Sequence, residues 1–378
     1  MGNAGRVTTV SPMSAASPVK GRFAPSPTGY MHLGNVWVAL LSWLSVRLQG
    51  GQWVLRIENI DTARSKPELA TALMDDLEWL GLTWDEGPRV GGPNGPYYQS
   101  ERSLYYESII SRWSATGSVY PCYCNRARLL QIASAPHEGD TPVYYDGHCR
   151  HLTAVARREA AARKIPSLRR AVFEPVTVTW RDYWQGEQIQ VIRPEADDFV
   201  VRRADGMYAY NLAVVADDAA MGITEIIRGY DLLEATGIQV WLYKQLGYSV
   251  PQYGHVPLLV DSSGARLSKR QHSITIRELR EAGYTAAEII GRLASMAGLN
   301  RLSISGTRGD IAMDEMENPM RSYCGITTVH SSRGQGAFAP LSADALWHRL
   351  QDAGITNLNN NDYLKDGHIT LTNFDIKV

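Results

Sequence analysis

The sequence has 378 residues, of which 44% are hydrophobic and 20% are charged, with 38 Lys and Arg against 39 Asp and Glu. At roughly 150 residues per domain this length predicts two or three domains, and the composition excludes a coiled coil, a collagen-like chain and wholesale disorder. No apolar run reaches the ~18 residues of a membrane-spanning helix, so we expect no membrane partner and a cytoplasmic location. Residues 1–19 are polar and rich in Ser, Ala, Val and Pro, which predicts a disordered leader rather than a secretory signal.

The segment from residue 20 to 117 alternates predicted strands and helices. The strands are Lys20–Ala24 and Gln52–Ile57, and the helices run from about Val36 to Leu48, Ser65 to Leu80 and Ser103 to Thr116. Ser65, with Glu68 three residues later, predicts a capping box at the start of the second helix. Strand, crossover helix and strand predict a parallel sheet that binds ligands at the carboxyl ends of its strands.

Residues 118–195 interrupt this alternation and predict an inserted subdomain. They contain three cysteines, a basic helix and a strand-like stretch from Val172 to Trp180. The alternation resumes over 196–272, with strands Phe199–Arg203, Thr224–Arg228 and His255–Val260 and helices Asn211–Ala220 and Gly237–Leu246. The remaining predicted helices are Thr275–Ala282 and Thr285–Ala297, within 273–300, and Ala343–Asp352, within a tail of unknown role at 301–378. The sequence therefore predicts a catalytic domain in two pieces, 20–117 and 196–272, around the insertion.

Two short segments carry residue types suited to binding phosphates. The first is the turn Pro25–Gly29 followed by His32, Gly34 and Asn35 at the start of a helix, whose N-terminus favours anions. The second is the loop Arg266-Leu-Ser-Lys-Arg270, whose cations suit a clamp on a triphosphate. Taken alone, each segment has an ordinary alternative, a simple turn or a solvated basic loop.

Together, the two segments resemble the "HIGH" and "KMSKS" signatures of the class I aminoacyl-tRNA synthetases. Arg22–Gly29 is similar to the glutamate-specific branch, as are Arg56–Asp61, Tyr210–Asp218 and Ile227–Leu233, and the resemblance covers about residues 20–298. It implies an α/β fold with a Rossmann-type nucleotide-binding parallel sheet, an inserted zinc-containing subdomain and a short helical C-terminal part. It also implies L-glutamate and ATP as substrates, with Mg²⁺ accompanying ATP.

The resemblance further implies the roles of individual residues. His32 and Lys269 are the expected catalytic residues, and ATP is expected to bind His32, Gly34, Asn35, Arg266, Ser268 and Lys269. Glutamate is expected to bind Arg22, Phe23, Ala24, Pro25, Ser26, Glu58, Tyr210 and Arg228. The residue types agree, because two carboxylates and one ammonium need two guanidinium groups and one carboxylate. The structural alternatives are that Arg228 caps a strand end and that Glu58 pairs with Arg56.

The cysteine cluster predicts a structural metal site. Cys122, Cys124 and Cys149 could bind zinc as thiolates, and the spacing alone leaves open Tyr145, His148 or His151 as a fourth ligand, as well as three buried free thiols. The pattern C-x-C…Y-x₃-C resembles the zinc site of the glutamyl-Q tRNA(Asp) synthetase family, shortened paralogues of the glutamyl-tRNA synthetases. That resemblance implies one structural Zn²⁺ on Cys122, Cys124, Tyr145 and Cys149.

The length after the basic loop agrees with the shortened paralogues. About 109 residues follow Lys269, which is too few for the helical anticodon-binding region of glutamyl-tRNA synthetases. The resemblance implies that glutamate, activated as the adenylate, is transferred to queuosine in the anticodon of tRNA(Asp) by an enzyme we expect to be a monomer. Two alternatives remain: an abbreviated glutamyl-tRNA synthetase that charges the 3′ end of tRNA(Glu), and an inactive zinc- and RNA-binding module.

Bases are concentrated between residues 150 and 170, where seven of them accompany a single acid. A local surplus of positive charge can bind phosphates even in a neutral chain. We therefore expect Arg157, Arg158, Arg163 and Lys164 to contact RNA. The alternative is a solvated helix face without a ligand.

Overall fold

The protein is described by a computed structural model that covers residues 18–125, 145–260, 274–299, 340–353, 355–359, 361, 364–365 and 368–370. The α-helices are α1 (Leu33–Leu48), α2 (Pro67–Trp79), α3 (Ser103–Ala115), α4 (Ala154–Arg163), α5 (Tyr210–Ala220), α6 (Leu233–Leu246), α7 (Ile276–Glu281), α8 (Ala286–Met296) and α9 (Ala343–Asp352). The strands are β1 (Lys20–Phe23), β2 (Gln52–Leu55), β3 (Val119–Cys122), β4 (Ser167–Arg170), β5 (Val176–Asp182), β6 (Gly186–Ile192), β7 (Phe199–Arg202), β8 (Glu225–Gly229), β9 (Gln252–Val256), β10 (Leu258–Val260) and β11 (His368–Thr370). None of the described helices is long and apolar enough to cross a membrane.

The central sheet has six strands in the order β2-β1-β8-β9-β5-β6. β1 runs parallel to β2 and β8, and β9 runs parallel to β8 and β5, whereas β6 returns antiparallel to β5. All five residues of β8 are buried, as expected for a parallel strand covered on both faces. The predicted α/β fold with a parallel sheet is confirmed.

In two places, strands join a sheet other than the one that their position in the chain suggested. The β5–β6 hairpin was expected in the insertion, yet it extends the main sheet, where Asp182 pairs with Tyr253 of β9. β7 was expected in the catalytic sheet, yet it pairs with β4 in the three-stranded sheet β3-β4-β7. Alternating polarity indicates a strand without indicating its neighbour, so the sequence could not assign these strands to sheets. The division into domains stays a prediction.

Two predicted boundaries are corrected by local chemistry. The strand expected from Val172 begins at Val176, because Pro175 has no N–H to donate and the N–H of Val172 bonds the Asp198 carboxylate at 2.7 Å. The capping box at Ser65 is wrong. Helix α2 begins at Pro67 after Lys66, since proline is suited to the first helical position, and the Ser65 hydroxyl has no hydrogen-bond partner among the residues that the structure describes.

The tail contributes to the same hydrophobic core as α1. Helix α9 packs against α1 and α8, and Leu346 and Leu350 on its inner face are fully buried. The Trp347 ring meets Trp43 of α1 edge to face at 6.4 Å. β11 pairs in parallel with β10, the strand that precedes residue 261. The described part of the tail is therefore an integral layer of the fold.

Candidate functional site

A pocket of about 490 Å³ opens at the carboxyl ends of β1 and β8, next to the N-terminus of α1. All the predicted glutamate-binding residues line it: Arg22, Phe23, Ala24, Pro25, Ser26, Glu58, Tyr210 and Arg228. His32, Gly34 and Asn35 from the predicted ATP site line the same pocket. Arg266, Ser268 and Lys269 lie outside the described residues. The structure therefore brings the first signature and the glutamate residues together, as ligands at the carboxyl edge of a parallel sheet require.

The N-terminus of α1 supplies the anion-binding side of this pocket. His32 is the N-cap residue, and its backbone N–H donates to Asn35 Oδ1 at 3.3 Å. A Cβ at Gly34 would lie 3.1 Å from the His32 ring, so glycine leaves room for the imidazole. The first turn of α1 carries no acidic residue, so the positive end of the helix dipole stays available to a ligand.

Glu58 lies where the pocket meets a buried ionic network centred on Arg56. The fully buried Arg56 donates to Asp218 at 2.6 Å and to Glu58 at 3.0 Å. Burial lowers the pKa of Arg56, but the carboxylates of Asp218, Asp217 and Glu58 more than offset this and keep the pKa well above its usual value. Burial raises the pKa of Glu58, and Arg56 only partly opposes that shift. Glu58 thus forms the pair with Arg56 that was the structural alternative, and it also lines the pocket.

The two pocket arginines differ in how their charge is balanced. Arg22 lies 3.4 Å from both carboxylate oxygens of Asp218. Arg228 is equally buried, but within the described part of the chain its guanidinium bonds to neutral groups: a histidine nitrogen, a glutamine oxygen, a threonine hydroxyl and a backbone carbonyl. Among the described residues no carboxylate lies within 4.0 Å of Arg228. A buried cation without an anion favours binding of an anionic ligand, because charges inside proteins are normally paired.

Sequence reasoning missed the acids that support this pocket from below. Asp217, fully buried on α5, accepts hydrogen bonds from Gln99 at 2.7 Å, Arg102 at 2.6 Å and the Tyr106 hydroxyl at 2.8 Å. The available signal was the pair Asp217-Asp218 within the apolar stretch of α5, where acids are rarely buried unless they are paired.

Asn59, the residue after Glu58, has a defined structural role. Its amide nitrogen donates to the Ser100 hydroxyl at 2.9 Å, and its carbonyl accepts the Ser100 N–H at 2.9 Å. These bonds tie the loop after Glu58 to the 3₁₀ turn Gln99–Arg102, which supplies two of the Asp217 donors. Asn59 therefore supports the pocket indirectly.

A second cavity of about 560 Å³ adjoins the pocket. The two cavities share Ser26, Thr28, Glu58 and Tyr210 in their walls. The far side of the second cavity is formed by residues of the segment that follows β7, including Arg203 and Tyr208. Two ligands, one in each cavity, can therefore both contact the Glu58 carboxylate.

The three clustered cysteines form a candidate metal centre. The sulfur atoms of Cys122, Cys124 and Cys149 all lie within 4.8 Å of one another, and those of Cys124 and Cys149 are 3.6 Å apart. Such separations suit thiolates around one tetrahedral ion with Zn–S bonds of about 2.3 Å. Burial raises the pKa of Cys122, but the charge of Arg169 and hydrogen bonds outweigh it, so the thiol pKa lies below its usual value.

Tyr145 is the candidate fourth donor that the structure places beside the thiols. Its hydroxyl oxygen accepts the Cys149 N–H at 2.8 Å, and the Arg169 guanidinium lies 4.0 Å from its ring centre. His151 pairs with Glu195 at 2.7 Å instead, and within the described ranges neither His148 nor His151 joins the cluster. The residues present fit a metal ion held by three thiolates and one phenolate.

The basic stretch divides into exposed and structural residues. Arg158 and Arg163 are exposed on α4, which has no buried residue, and Arg157 is half-buried. Lys164 donates to the carbonyls of Tyr123 and Cys124 in the cysteine loop. Two further bases of the run are buried: Arg169 bonds the Asp198 carbonyl, and Arg170 lies between the rings of Trp113 and Trp241, where burial lowers its pKa to about 10. The charge available to a polyanion is therefore smaller than the sequence indicated.

Comparisons with known proteins indicate the family to which this chain belongs. Residues 18–321 match the family model of class I tRNA synthetases (E and Q), catalytic domain. The chain is 50% identical over 282 residues to a glutamyl-Q tRNA(Asp) synthetase of Symbiobacterium thermophilum, covering 74% of this chain and 86% of that protein. It is 43% identical to glutamate–tRNA ligase 2 of Alkalilimnicola ehrlichii, covering 74% of this chain but 58% of that one. A glutamate tRNA ligase from Elizabethkingia meningosepticum, solved with its amino acid, superposes with a TM-score of 0.64 at 30% identity over 74% of this chain and 61% of that one.

Proposed function

This chain belongs to the class I tRNA synthetases for Glu and Gln, and from that premise we propose that it activates L-glutamate with ATP and transfers it to queuosine in the anticodon of tRNA(Asp). The observation that carries the proposal is Arg228, a buried guanidinium in the pocket that His32 borders, whose partners among the described residues are all neutral. Two relatives, at 50% and 48% identity, are both glutamyl-Q tRNA(Asp) synthetases.

The first step joins glutamate to AMP. A glutamate carboxylate oxygen attacks the α-phosphorus of ATP, a new P–O bond forms, and the bond to the β-phosphate breaks to release pyrophosphate. Arg22 and Arg228 hold the two carboxylates and Glu58 holds the ammonium, which orients the attacking oxygen. His32 and the N-terminus of α1 stabilise charge on the phosphate, and Lys269 is expected to do the same for the departing pyrophosphate, with Mg²⁺ accompanying ATP.

The second step transfers the glutamyl group. A hydroxyl of the queuosine ring attacks the activated carbonyl, an ester bond forms, and AMP leaves as the hydroxyl proton is lost. The cavity that shares Glu58 and Tyr210 with the pocket gives the acceptor nucleotide a place beside the adenylate. Exposed Arg158 and Arg163, with half-buried Arg157, are candidates for phosphate contacts of the tRNA, whereas Lys164 supports the cysteine loop.

We also propose one structural Zn²⁺ ion held by Cys122, Cys124, Cys149 and Tyr145. The ion would supply a cross-link between β3 and the segment that begins at residue 145. Although burial opposes it, the charge of Arg169 lowers the pKa of the Cys122 thiol and favours the thiolate, whereas burial raises the pKa of the Tyr145 hydroxyl, so the phenolate would need the ion itself. The proposed role is structural, because this cluster shares no residue with the walls of the two cavities.

The experiment that tests the function has two arms. ATP–pyrophosphate exchange is measured with glutamate and without tRNA. Then tRNA(Glu), and tRNA(Asp) with or without queuosine, are charged with labelled glutamate and digested to locate the label. We expect exchange without tRNA and label in the anticodon fragment of queuosine-containing tRNA alone. Label at the 3′-terminal adenosine of tRNA(Glu) would establish the abbreviated glutamyl-tRNA synthetase instead. RNA binding without exchange would leave the inactive module.

A further inference from the structure

The Arg228 guanidinium is held by a buried relay that reaches β5. Its Nε lies 3.0 Å from His255 Nε2, while its two terminal nitrogens donate to Gln239 at 2.7 Å and to Thr236 at 2.8 Å. His255 Nδ1 in turn contacts Asp182 Oδ2 at 2.5 Å. Neither Asp182 nor His255 lines the pocket, and both are buried.

The hydrogen-bonding chemistry of Arg228 and Asp182 determines which nitrogen of the His255 ring carries the proton. A guanidinium can only donate, so His255 Nε2 must accept from Arg228. The other ring nitrogen then carries the proton and donates it to the Asp182 carboxylate. Burial and the charge of Arg228 lower the pKa of His255, although Asp182 opposes them, so the ring is neutral near pH 7.

Asp182 is itself held in one orientation. Its Oδ1 accepts the backbone N–H groups of Trp184, Gln185 and His255, each at 3.1 Å. Three donors on one oxygen leave only Oδ2 to face the imidazole. The turn after β5 therefore determines which carboxylate oxygen meets His255.

We propose that Asp182 and His255 are positioning residues that hold Arg228 ready for a ligand carboxylate without neutralising it. A carboxylate directly on Arg228 would compete with the ligand, whereas a neutral imidazole between the two charges supplies an acceptor and keeps the counter-charge one ring away. This inference rests on the proposed function, in which that ligand carboxylate belongs to glutamate. It assigns a role to two residues that do not touch the substrate.

The substitution Asp182→Asn tests the relay because it moves the imidazole proton of His255 from Nδ1 to Nε2. The three backbone donors keep the amide oxygen in the place of Oδ1, so the amide NH₂ faces His255 Nδ1. His255 Nδ1 must then accept a hydrogen bond from the amide, so the ring proton moves to Nε2. There it faces the Nε–H of Arg228, and the hydrogen bond between Arg228 and His255 is lost. Since a hydrogen bond to a charged group contributes severalfold more than a weak contact, we expect the Michaelis constant for glutamate to rise about 10- to 100-fold.

Two readouts separate this role from a general structural one. Nitrogen-15 NMR of the histidines should show His255 protonated at Nδ1 in the wild type and at Nε2 in Asp182→Asn. In ATP–pyrophosphate exchange the Michaelis constant for ATP should stay within about twofold, because a lost contact to one ligand alters the binding of that ligand. Asp197→Asn is the matched control, since Asp197 also accepts a backbone N–H in a turn, that of Arg193 at 2.6 Å. It should leave both constants unchanged.

The proposal is overturned if wild-type His255 is protonated at Nε2, if the proton moves without any change in the glutamate constant, or if both constants rise together. Should Asp182→Asn fail to fold, His255→Gln and His255→Leu provide the same test, because only Gln offers Arg228 an acceptor. Leu should raise the glutamate constant about tenfold above Gln, and equal constants would overturn the relay. A wild-type protein without glutamate-dependent exchange would refute the proposed function, while the NMR arm would still report the relay.

Discussion

Removing the Asp217 carboxylate tests whether the ionic network beneath the pocket stabilises the fold. Asp217 is fully buried and accepts hydrogen bonds from Gln99, Arg102 and Tyr106 at 2.6–2.8 Å, with Arg56 Nε at 3.8 Å. Asp217→Ala leaves the Arg102 guanidinium without a carboxylate among the described residues, and it leaves two further donors without their acceptor. Breaking one partner of a buried ion pair costs about 3–5 kcal/mol, so we expect the free energy of unfolding to fall by that amount.

The assay is urea unfolding followed by circular dichroism and tryptophan fluorescence. Asp205→Ala is the matched control, because Asp205 pairs with Arg203 at 2.7 Å with both side chains about half exposed. Exposed pairs contribute about 0–1 kcal/mol, so this variant should unfold near the wild type. Asp217→Asn keeps the shape and loses the charge, and it should lie between the two. If Asp217→Ala costs no more than Asp205→Ala, the network is not a stabilising element and the reasoning fails.

Three further predictions concern the pocket, the cysteine cluster and the tail. Burial raises the pKa of Glu58, so its carboxylate is neutralised above the usual pH of about 4.3. The Michaelis constant for glutamate should therefore begin to rise at a higher pH in the wild type than in Glu58→Gln. In that variant the constant should be high throughout and rise only where the substrate's own side-chain carboxyl is protonated, near about pH 4.3; the same onset in both proteins would contradict this. Cys149→Ser should lower the zinc content found by elemental mass spectrometry, and an unchanged zinc content would exclude the cluster as the site. Leu346→Ala should lower the free energy of unfolding by about 2–5 kcal/mol, whereas exposed Arg349→Ala should change it by less than about 0.5 kcal/mol; equal effects would show that α9 is not docked.

The sequence was sufficient to predict helices and strands, but it did not show which strands pair with one another. Helices α1, α5 and α6 were predicted from the sequence, because the apolar residues that a helix buries lie within its own segment of the chain. Strand pairing depends on residues far apart in the chain, so the sequence could not show that β5 joins the six-stranded sheet and β7 the three-stranded one. At Ser65 a local pattern competed with Pro67, and the proline determined where the helix begins.

For the candidate site, too, the sequence indicated which residues come together but not how they interact. The first signature and the predicted glutamate-binding residues, all within the described part of the chain, line one pocket, from Arg22 on β1 to Arg228 on β8. What the sequence could not show is how their charges are balanced, because that depends on contacts between separate elements. The carboxylate near Arg22 comes from α5, and the imidazole against Arg228 comes from β9. Whether His32 faces Lys269 stays a prediction, since Lys269 is outside the described residues.

The docking of α9 has a practical consequence for anyone who shortens this protein. The family match ends at residue 321, which would make that position a natural place to truncate the chain. Such a truncation would expose the apolar surfaces of α1 and α8 that Leu346 and Leu350 now cover, and it would remove the carbonyl of Leu358 that accepts the Trp184 indole N–H at 3.0 Å. An aggregating or inactive fragment would then report a damaged interior rather than a missing function.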